Sequence, residues 1–294
     1  MKKQNSRLAF SLIELSVVIL IIGILVIGIT KGSRIIRASK LRSAQTLTTS
    51  SPVASMDGIL IWVEATLDKS FNASEAVDTP FANNGTLTSW NDINPQVTTP
   101  NNATQTGGAA SQPRYILNAI NGLPAVNFDG NSDFLQYDGT RLANSNYTIF
   151  VVDQRRDSAS YRLFLAGANG GLNTDLHLGY ETNTTVYFAQ YGNDFRASIP
   201  GFSTPTPRIH TFRSSLTLGR KYNINGLPLS LSCLTTCPIV PLSSYDGAMI
   251  GRNYMSGSNW YYGDIGEIIE FHRYLTDTEV ANIEKYLKAK WGIK

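Results

Sequence analysis

Charged side chains are scarce in this chain of 294 residues, at 16% of the composition against 42% hydrophobic residues. This balance excludes a chain that charge repulsion keeps unfolded. Glu and Lys are sparse, whereas Tyr, Phe, Thr, Asn and Gly are frequent, which favours strands and turns over helices. We therefore predict a folded, mainly β protein.

The chain also has little excess charge, with a formal net charge of +3. Residues 1–56 account for that excess, because they hold eight basic side chains and one acid, Glu14. The remainder holds 17 basic and 21 acidic residues, a net charge of −4. A mildly acidic body is not suited to binding nucleic acid by counterion release, so we predict no nucleic-acid partner.

Residue types that bind metals are few as well. The three histidines, His177, His210 and His272, are scattered and lack the spacing of a zinc site. Cys233 and Cys237 stand without a second cysteine pair, which excludes a four-cysteine zinc site. Two cysteines of an exported protein are more often bridged than free. We expect a disulfide between them, with free thiols as the alternative, and no cofactor.

One long hydrophobic run, residues 10–29, follows the polar, basic residues 1–9 and holds a single charge, Glu14. As a helix it would be about 30 Å long, enough to cross a bilayer. A secretory signal peptide has a shorter apolar core and a small-x-small cleavage site, which are not found here. A plain membrane anchor explains the length but not the carboxylate of Glu14, which is costly in lipid.

The residues Ala9, Phe10, Ser11, Leu12, Ile13 and Glu14 explain that charge. They resemble the cleavage and methylation site of type IV prepilins and type II secretion pseudopilins. The resemblance implies that prepilin peptidase cuts between Ala9 and Phe10 and that Phe10 is N-methylated. It also implies that Glu14 pairs with the terminal amine of a neighbouring pilin or pseudopilin subunit, as a buried carboxylate needs a cationic partner. The family usually has Gly in place of Ala9, so we expect slower cleavage.

The resemblance implies a location, and together with Pro52 and the Ser- and Thr-rich residues that surround it, which disfavour a helix, it predicts a division of the chain. We expect a leader peptide at 1–9, a transmembrane and assembly helix at 10–45, a linker at 46–57 and a head at 58–294. The protein would cross the bacterial inner membrane once, with its head in the periplasm, and would reach a cell-surface filament or a pseudopilus after assembly. The basic residues beyond the hydrophobic run outnumber those of the leader, which opposes this orientation by the positive-inside rule. The prepilin motif at Ala9–Glu14 requires a cytoplasmic leader, and we give it more weight than the count of basic residues.

The body of the chain alternates in hydrophobicity, as strands do, and Asn-Gly and Asp-Gly pairs punctuate it. These turn signals lie at Asn121, Asp129, Asp138, Asn225 and Asp246. Many short strands predict an antiparallel sandwich or barrel. A capping box at Thr276 and Glu279 predicts a C-terminal helix, and residues 83–112 read as a long surface loop.

The head also resembles a known group of folds, the laminin-G-like members of the concanavalin A-like jelly rolls. The matching segments, in order, are 59–66, 120–130, 147–156, 263–277 and 283–293. The resemblance implies two curved antiparallel sheets. It also implies contact with a glycan or a protein, in some members through calcium.

The chain lacks the paired-carboxylate string E-x-D-x-x-E of sandwich glucanases. The nearest residues are Asp264, Glu267 and Glu270. On a regular strand Asp264 and Glu270 would share a face about 20 Å apart, with Glu267 on the other face. Retaining hydrolysis needs carboxyl groups about 5 Å apart. We therefore predict no catalytic residues and no enzyme activity.

Two weaker sites remain. Tyr254, Trp260, Tyr261 and Tyr262 crowd one Gly/Ser-rich segment and suit sugar stacking, with packing into the core as the alternative. The candidates for a calcium site are Asp129, Asp133 and Asp138, with ligand-free turns as the alternative.

The function predicted from the sequence is a prepilin-like subunit of a type IV pilus or a type II secretion pseudopilus. It would be a minor pilin or a pseudopilin, with a head for surface, glycan or cargo contact. The alternative is a carbohydrate-binding, lectin-like protein that is anchored in the inner membrane and does not polymerise.

Overall fold

The computed structural model describes residues 12–72, 75, 85–167, 170–233, 237–253 and 259–294. The chain divides into two compact units, residues 1–42 and 43–294.

A long helix begins the described chain. Helix α1 runs from Leu12 to Thr49 and carries Glu14 in its first turn, where the helix dipole favours an acid. Within the described residues, however, no helix is both long and apolar enough to cross a membrane. The apolar part of α1 ends before Arg34, and basic side chains follow one another from there to Arg42. The predicted single pass through the inner membrane is therefore wrong.

The second unit is built from two antiparallel sheets, which confirms the prediction of a mainly β, sandwich-like fold. The first sheet has the strand order β15-β14-β13-β8-β18-β6-β5-β2, with β1 also paired to β18. Its strands are β1 (Ile59–Glu64), β2 (Gly85–Thr86), β5 (Arg114–Ile120), β6 (Leu123–Asp129), β8 (Tyr147–Arg155), β13 (Arg208–Ser215), β14 (Gly219–Ile224), β15 (Leu227–Leu229) and β18 (Tyr262–Phe271).

The second sheet has the order β16-β12-β11-β10-β9-β17-β7-β4-β3. Its strands are β3 (Ser89–Trp90), β4 (Ala103–Thr104), β7 (Leu135–Tyr137), β9 (Arg162–Ala166), β10 (Leu176–Thr182), β11 (Thr185–Gln190), β12 (Asn193–Ser198), β16 (Ser232–Cys233) and β17 (Ala248–Ile250). Short 3-10 helices lie at Pro52–Ser55, Asp68–Ser70, Ala109–Ser111 and Thr140–Leu142.

The C-terminal helix α2 (Asp277–Trp291) forms where the sequence predicted it. Thr276 and Glu279 make the reciprocal capping box, and Gly292 ends the helix with a φ of 63°. The helix lies against the first sheet, because Trp291 packs over Gly266 of β18. A Cβ at Gly266 would lie 2.6 Å from that indole ring. The apolar face of α2 thus covers the first sheet on the side away from the second sheet.

A bulge in β18 changes the faces that its three acids occupy. The register shifts between Ile265 and Glu267, so Asp264 pairs with Gln154 and Glu267 with Val152 of β8. Because Gln154 and Val152 are two residues apart, Asp264 and Glu267 share a face. Glu270 points the other way, towards Tyr137 of the second sheet. The prediction assumed a regular strand and placed Asp264 on the face of Glu270; the bulge moves Asp264 to the face of Glu267, whereas Glu267 and Glu270 lie on opposite faces as predicted.

Two segments predicted as irregular carry structure. Residues 46–57 contain the end of α1 and the 3-10 helix Pro52–Ser55, and the buried Thr48 is bonded to the Tyr286 hydroxyl at 3.4 Å. Residues 83–112 contain β2, β3 and β4 as well as the buried Trp90, whose indole nitrogen donates to the Glu64 carbonyl at 2.9 Å. Both segments are therefore tied to the sandwich.

Candidate ligand-binding site

The positions of the N-terminal motif are only partly described. Ala9 and Phe10 lie outside the described residues. Glu14 lies in the first turn of α1. Cleavage, methylation and assembly at these positions stay predictions.

The two cysteines are joined in a disulfide, Cys233–Cys237, with the Cα atoms 5.9 Å apart. Cys233 lies in β16 and pairs with Phe195 of β12. The bridge therefore closes a small loop at one edge of the second sheet, where an open strand would invite pairing with other chains.

The aromatic segment does not form one exposed platform. Tyr254 lies outside the described residues. Trp260 is half-buried, 6.4 Å from the Phe134 ring between centroids, and the Arg252 guanidinium covers it at 4.8 Å. Tyr261 is fully buried, and its hydroxyl donates to Asp153 at 2.7 Å. Tyr262 is half-buried, with the Arg162 guanidinium 5.9 Å from its ring. Tyr261 therefore follows the alternative prediction for this segment, packing into the core.

The acidic candidates separate into a pair and a single residue. The backbone amide of Asp129 donates to Asp133 at 3.0 Å, and that of Asp133 donates to Asp129 at 3.1 Å. Burial and the neighbouring Asp129 raise the pKa of Asp133 to about 7. Asp138 instead accepts from the amide of Thr140 at 2.9 Å. In the part of the chain that the structure describes, no three His, Cys, Asp or Glu side chains group as a metal site. Calcium binding stays a prediction.

A buried polar cluster between the sheets was not predicted. His210 Nε2 lies 2.9 Å from Asp153 Oδ1, and the Tyr180 and Tyr261 hydroxyls donate to the same carboxylate at 2.9 and 2.7 Å. Burial alone would raise the pKa of Asp153, but the charge and hydrogen bond of His210 outweigh it and lower that pKa. The only sign of this cluster in the sequence was one acid, Asp153, within the apolar run of β8. Since every member is buried, the cluster joins the sheets and cannot meet a ligand.

A second buried acid, Glu270, lies elsewhere in the same interior. The Tyr137 hydroxyl donates to its Oε1 atom, while its Oε2 atom has no partner among the described residues. Burial raises the pKa of Glu270 to about 8, although the bond from Tyr137 opposes the shift. This carboxyl is therefore protonated at neutral pH, and it too is closed to ligands.

An open pocket of about 580 Å³ lies at the edge of the second sheet, beside β4 and β7. Tyr137 points between the sheets, since it bonds Glu270. Side chains alternate along a strand, so Gln136 points to the outer face of the second sheet. Thr104 pairs with Gln136 and lies on the same face. Besides Tyr137, the polar side chains of the lining are Asn101, Asn102, Thr104, Thr106, Gln136, Asp138 and Asp246.

Hydrogen bonds fix the walls of this pocket. The Asn101 amide donates to the Asp138 carbonyl at 2.8 Å, and the Asp138 backbone amide donates back to Asn101 Oδ1 at 3.0 Å. Asp92 holds the same loop from behind, because its carboxylate accepts from the backbone amides of Asn101 and Trp62 at 3.1 and 2.9 Å. The loop is thus anchored to β1 and to the turn after β7.

Polar groups are left over for a ligand. Asp138 and Asp246 are exposed, and each precedes a glycine at a predicted turn. Among the residues that the structure describes, the Asp246 carboxylate has no partner, and the Gln136 side chain has one, accepting from the Thr106 hydroxyl at 3.0 Å. The pocket therefore offers amide, hydroxyl and carboxylate groups that are preorganised but not saturated.

A second pocket, of about 570 Å³, lies between α2 and the β14–β15 edge of the first sheet. Several of its polar groups already bond to the protein. Arg213 donates to Asp277 at 2.6 Å, and Glu284 accepts from Thr211 and Asn223 at 2.7 and 3.0 Å. These bonds attach α2 to the sheet, so we place the candidate site at the β4–β7 pocket.

No known family model matches this chain, and its sequence matches no curated protein. Solved structures do share the fold. The sialidase of Trypanosoma rangeli in complex with 2,3-difluorosialic acid, a covalent intermediate, matches 86% of this chain with a TM-score of 0.54 and 14% identity. The chain spans 38% of that sialidase. Domain 4 of AbnA, a GH43 extracellular arabinanase from Geobacillus stearothermophilus in complex with arabinotriose, matches 77% of this chain with a TM-score of 0.50 and 15% identity. This chain covers 98% of that domain.

At such identities these likenesses show the fold alone. They do overturn one prediction, that the chain is not an enzyme, since the neighbours come from sialidases and an arabinanase, which are enzymes. One part of the geometry used for that prediction is also wrong. Asp264 and Glu270 were expected to share one face of a regular strand, and the bulge at Gly266 places them on opposite faces.

Proposed function

We propose that the chain is a prepilin-like subunit, a minor pilin or a pseudopilin, whose laminin-G-like sandwich binds a glycan in the β4–β7 pocket. The observation that carries the proposal is the unsaturated polar lining of that pocket. The likeness to domain 4 of the arabinanase, whose structure holds arabinotriose, agrees with it in fold.

The chemistry of the lining suits sugars. A sugar presents many hydroxyl groups, and each can both donate and accept a hydrogen bond. Asp138 and Asp246 supply acceptors, whereas Asn102 and Gln136 supply donors through their amide nitrogens, because their oxygens already accept from the Asp92 backbone amide and the Thr106 hydroxyl. Hydrogen bonds to a carboxylate are stronger than those between neutral groups. A pocket with these groups fixed in place loses little entropy when a sugar binds.

Replacing Asp246 by alanine should weaken glycan binding at least about tenfold, because one hydrogen bond to a charged group contributes about 1.5–3 kcal/mol. The measurement is titration calorimetry with the tightest ligand found on a glycan array. Asp68→Ala is the matched control, because Asp68 is equally exposed but lies in the 3-10 helix Asp68–Ser70, outside the lining. Equal affinities of the wild type and Asp246→Ala would place the site elsewhere.

Two features support the prepilin-like part of the proposal. One is the match from Ala9 to Glu14, and the other is that Glu14 lies in the first turn of a helix that continues to Thr49. The proposed partners are prepilin peptidase and neighbouring pilin or pseudopilin subunits. The rival is a lectin-like protein that does not polymerise, which the β4–β7 pocket would serve equally well.

N-terminal mass spectrometry decides between them. Protein expressed with prepilin peptidase should begin at N-methylated Phe10, and protein expressed without it should keep Met1. In the processed protein, Glu14→Ala should abolish filament assembly and leave cleavage intact, because the cationic partner of Glu14 belongs to the neighbouring subunit. Ser16→Ala, which alters a nearby exposed side chain, serves as the control. Met1 retained in both samples would leave the rival function.

A further inference from the structure

We infer that the β4–β7 pocket selects uncharged, hydroxyl-rich sugars and rejects anionic ones such as sialylated or sulfated glycans. The inference rests on the proposed glycan binding and deepens it by naming the ligand class. It stands on the charges around the pocket.

None of the described residues that line the pocket is a lysine, an arginine or a histidine. The two ionisable side chains that face a ligand are Asp138 and Asp246, and both are exposed. The nearby cation along the chain, Arg141, is engaged elsewhere, since its guanidinium lies 2.7 Å from His272 Nε2. A bound anion would therefore meet negative charge with no counter-ion.

The carboxylates of Asp138 and Asp246 also require a ligand that donates hydrogen bonds. Each accepts hydrogen bonds and donates none at neutral pH. A neutral sugar can direct hydroxyl protons at both of them. A sugar carboxylate or sulfate placed there would have no proton to donate to the two aspartates. The hydrogen bonds that a hydroxyl makes would be lost, and the two negative charges would repel each other. Rejection of the wrong ligand by like charge is a common source of binding specificity.

The pocket also carries neutral polar groups. The side-chain amides of Asn102 and Gln136 stand beside its two acids, whereas the amide of Asn101 already bonds the Asp138 backbone. Neutral donors and acceptors of this kind match hydroxyl groups in number and direction. The combination of neutral amides with two acids points to a polyhydroxylated, uncharged sugar.

The test is a glycan array that carries neutral oligosaccharides beside their sialylated and sulfated counterparts, probed with the full chain. We expect binding to neutral members, with each charged counterpart at least about tenfold weaker at low salt. The gap should narrow at about 0.5 M salt, because salt screens the repulsion between exposed charges. In Asp246→Asn, which keeps the shape but removes a charge, the ratio of charged to neutral binding should rise. A thermal unfolding curve would check that this variant is folded.

The outcomes separate the two proposals. Equal or tighter binding of charged glycans by the wild type would overturn the selectivity and leave glycan binding in place. An unchanged ratio in Asp246→Asn would also overturn it. Absence of binding to every glycan on the array would overturn both.

Discussion

Replacing Lys290 by methionine should lower the free energy of unfolding by about 3–5 kcal/mol, because it leaves two buried carboxylates without their cation. Lys290 Nζ lies 2.7 Å from Glu64 Oε2 and 2.9 Å from Glu267 Oε2, and all three side chains are sealed from solvent. Burial alone would raise the pKa of Glu64, yet the charge and hydrogen bond of Lys290 hold it below its usual value. Urea unfolding at pH 7 measures the loss.

The control is Lys285→Met, which removes a charge from an exposed position of the same helix and should change stability by less than about 0.5 kcal/mol. The pH dependence gives a further check. Without Lys290 burial raises the pKa of Glu64 and favours its neutral form, so the destabilisation should be smaller at pH 5 than at pH 8. A loss of stability as small as that of the control would mean that the ion pairs contribute nothing net.

These ion pairs also show why the sequence predicted helix α2 but not the contacts that α2 makes. The capping box of Thr276 and Glu279 is local, and so is the spacing of the apolar residues that follow it. The acids that meet Lys290 lie 226 and 23 residues away along the chain. Local signals therefore predict the helix, whereas only the folded sheet brings Glu64 and Glu267 together beneath it.

The bulge in β18 was hidden from the sequence for the same reason. A glycine within a strand indicates a bulge or a close approach, but does not say which one. At Gly266 the Trp291 ring fills the space of a side chain, and the register shifts beside it. Period-two reasoning therefore placed Asp264 on the same face as Glu270 instead of the face of Glu267.

The candidate site was visible in the sequence only as separate turns. Asp138 and Asp246 were both identified as Asp-Gly turn signals, and β7 pairs with β17 so that the two turns meet at one pocket. The loop that completes it was predicted to be irregular, because β3 and β4 are two residues long and show no periodicity. Tyr261 was predicted as a ligand candidate, whereas it is buried and bonds Asp153. That partner lies 108 residues away along the chain, so the local sequence could not reveal it.

Glu270→Gln should stabilise the protein by an amount that grows with pH. The pKa of Glu270 is about 8 in the folded protein, against an ordinary value of 4.5 in the unfolded chain. Between these values the unfolded chain binds fewer protons than the folded one, so the stability of the wild type falls as pH rises. Each pH unit corresponds to about 1.4 kcal/mol. Glutamine does not ionise, and we expect the variant to gain about 3 kcal/mol over the wild type between pH 4.5 and pH 7.

The opposite sign is expected at Glu279, where the hydrogen bond from Arg273, opposed by partial burial, lowers the pKa to about 2. Its contribution to stability is present above the unfolded value of 4.5 and is lost as pH falls towards 2. Glu279→Gln should therefore lose stability relative to the wild type above pH 4.5 and approach it in acid. Denaturant titrations of both variants from pH 3 to pH 8 would give difference curves that slope in opposite directions.

A flat difference curve for Glu270→Gln would mean that Glu270 ionises alike in the folded and unfolded states, and that the unpartnered Oε2 atom is reached by water.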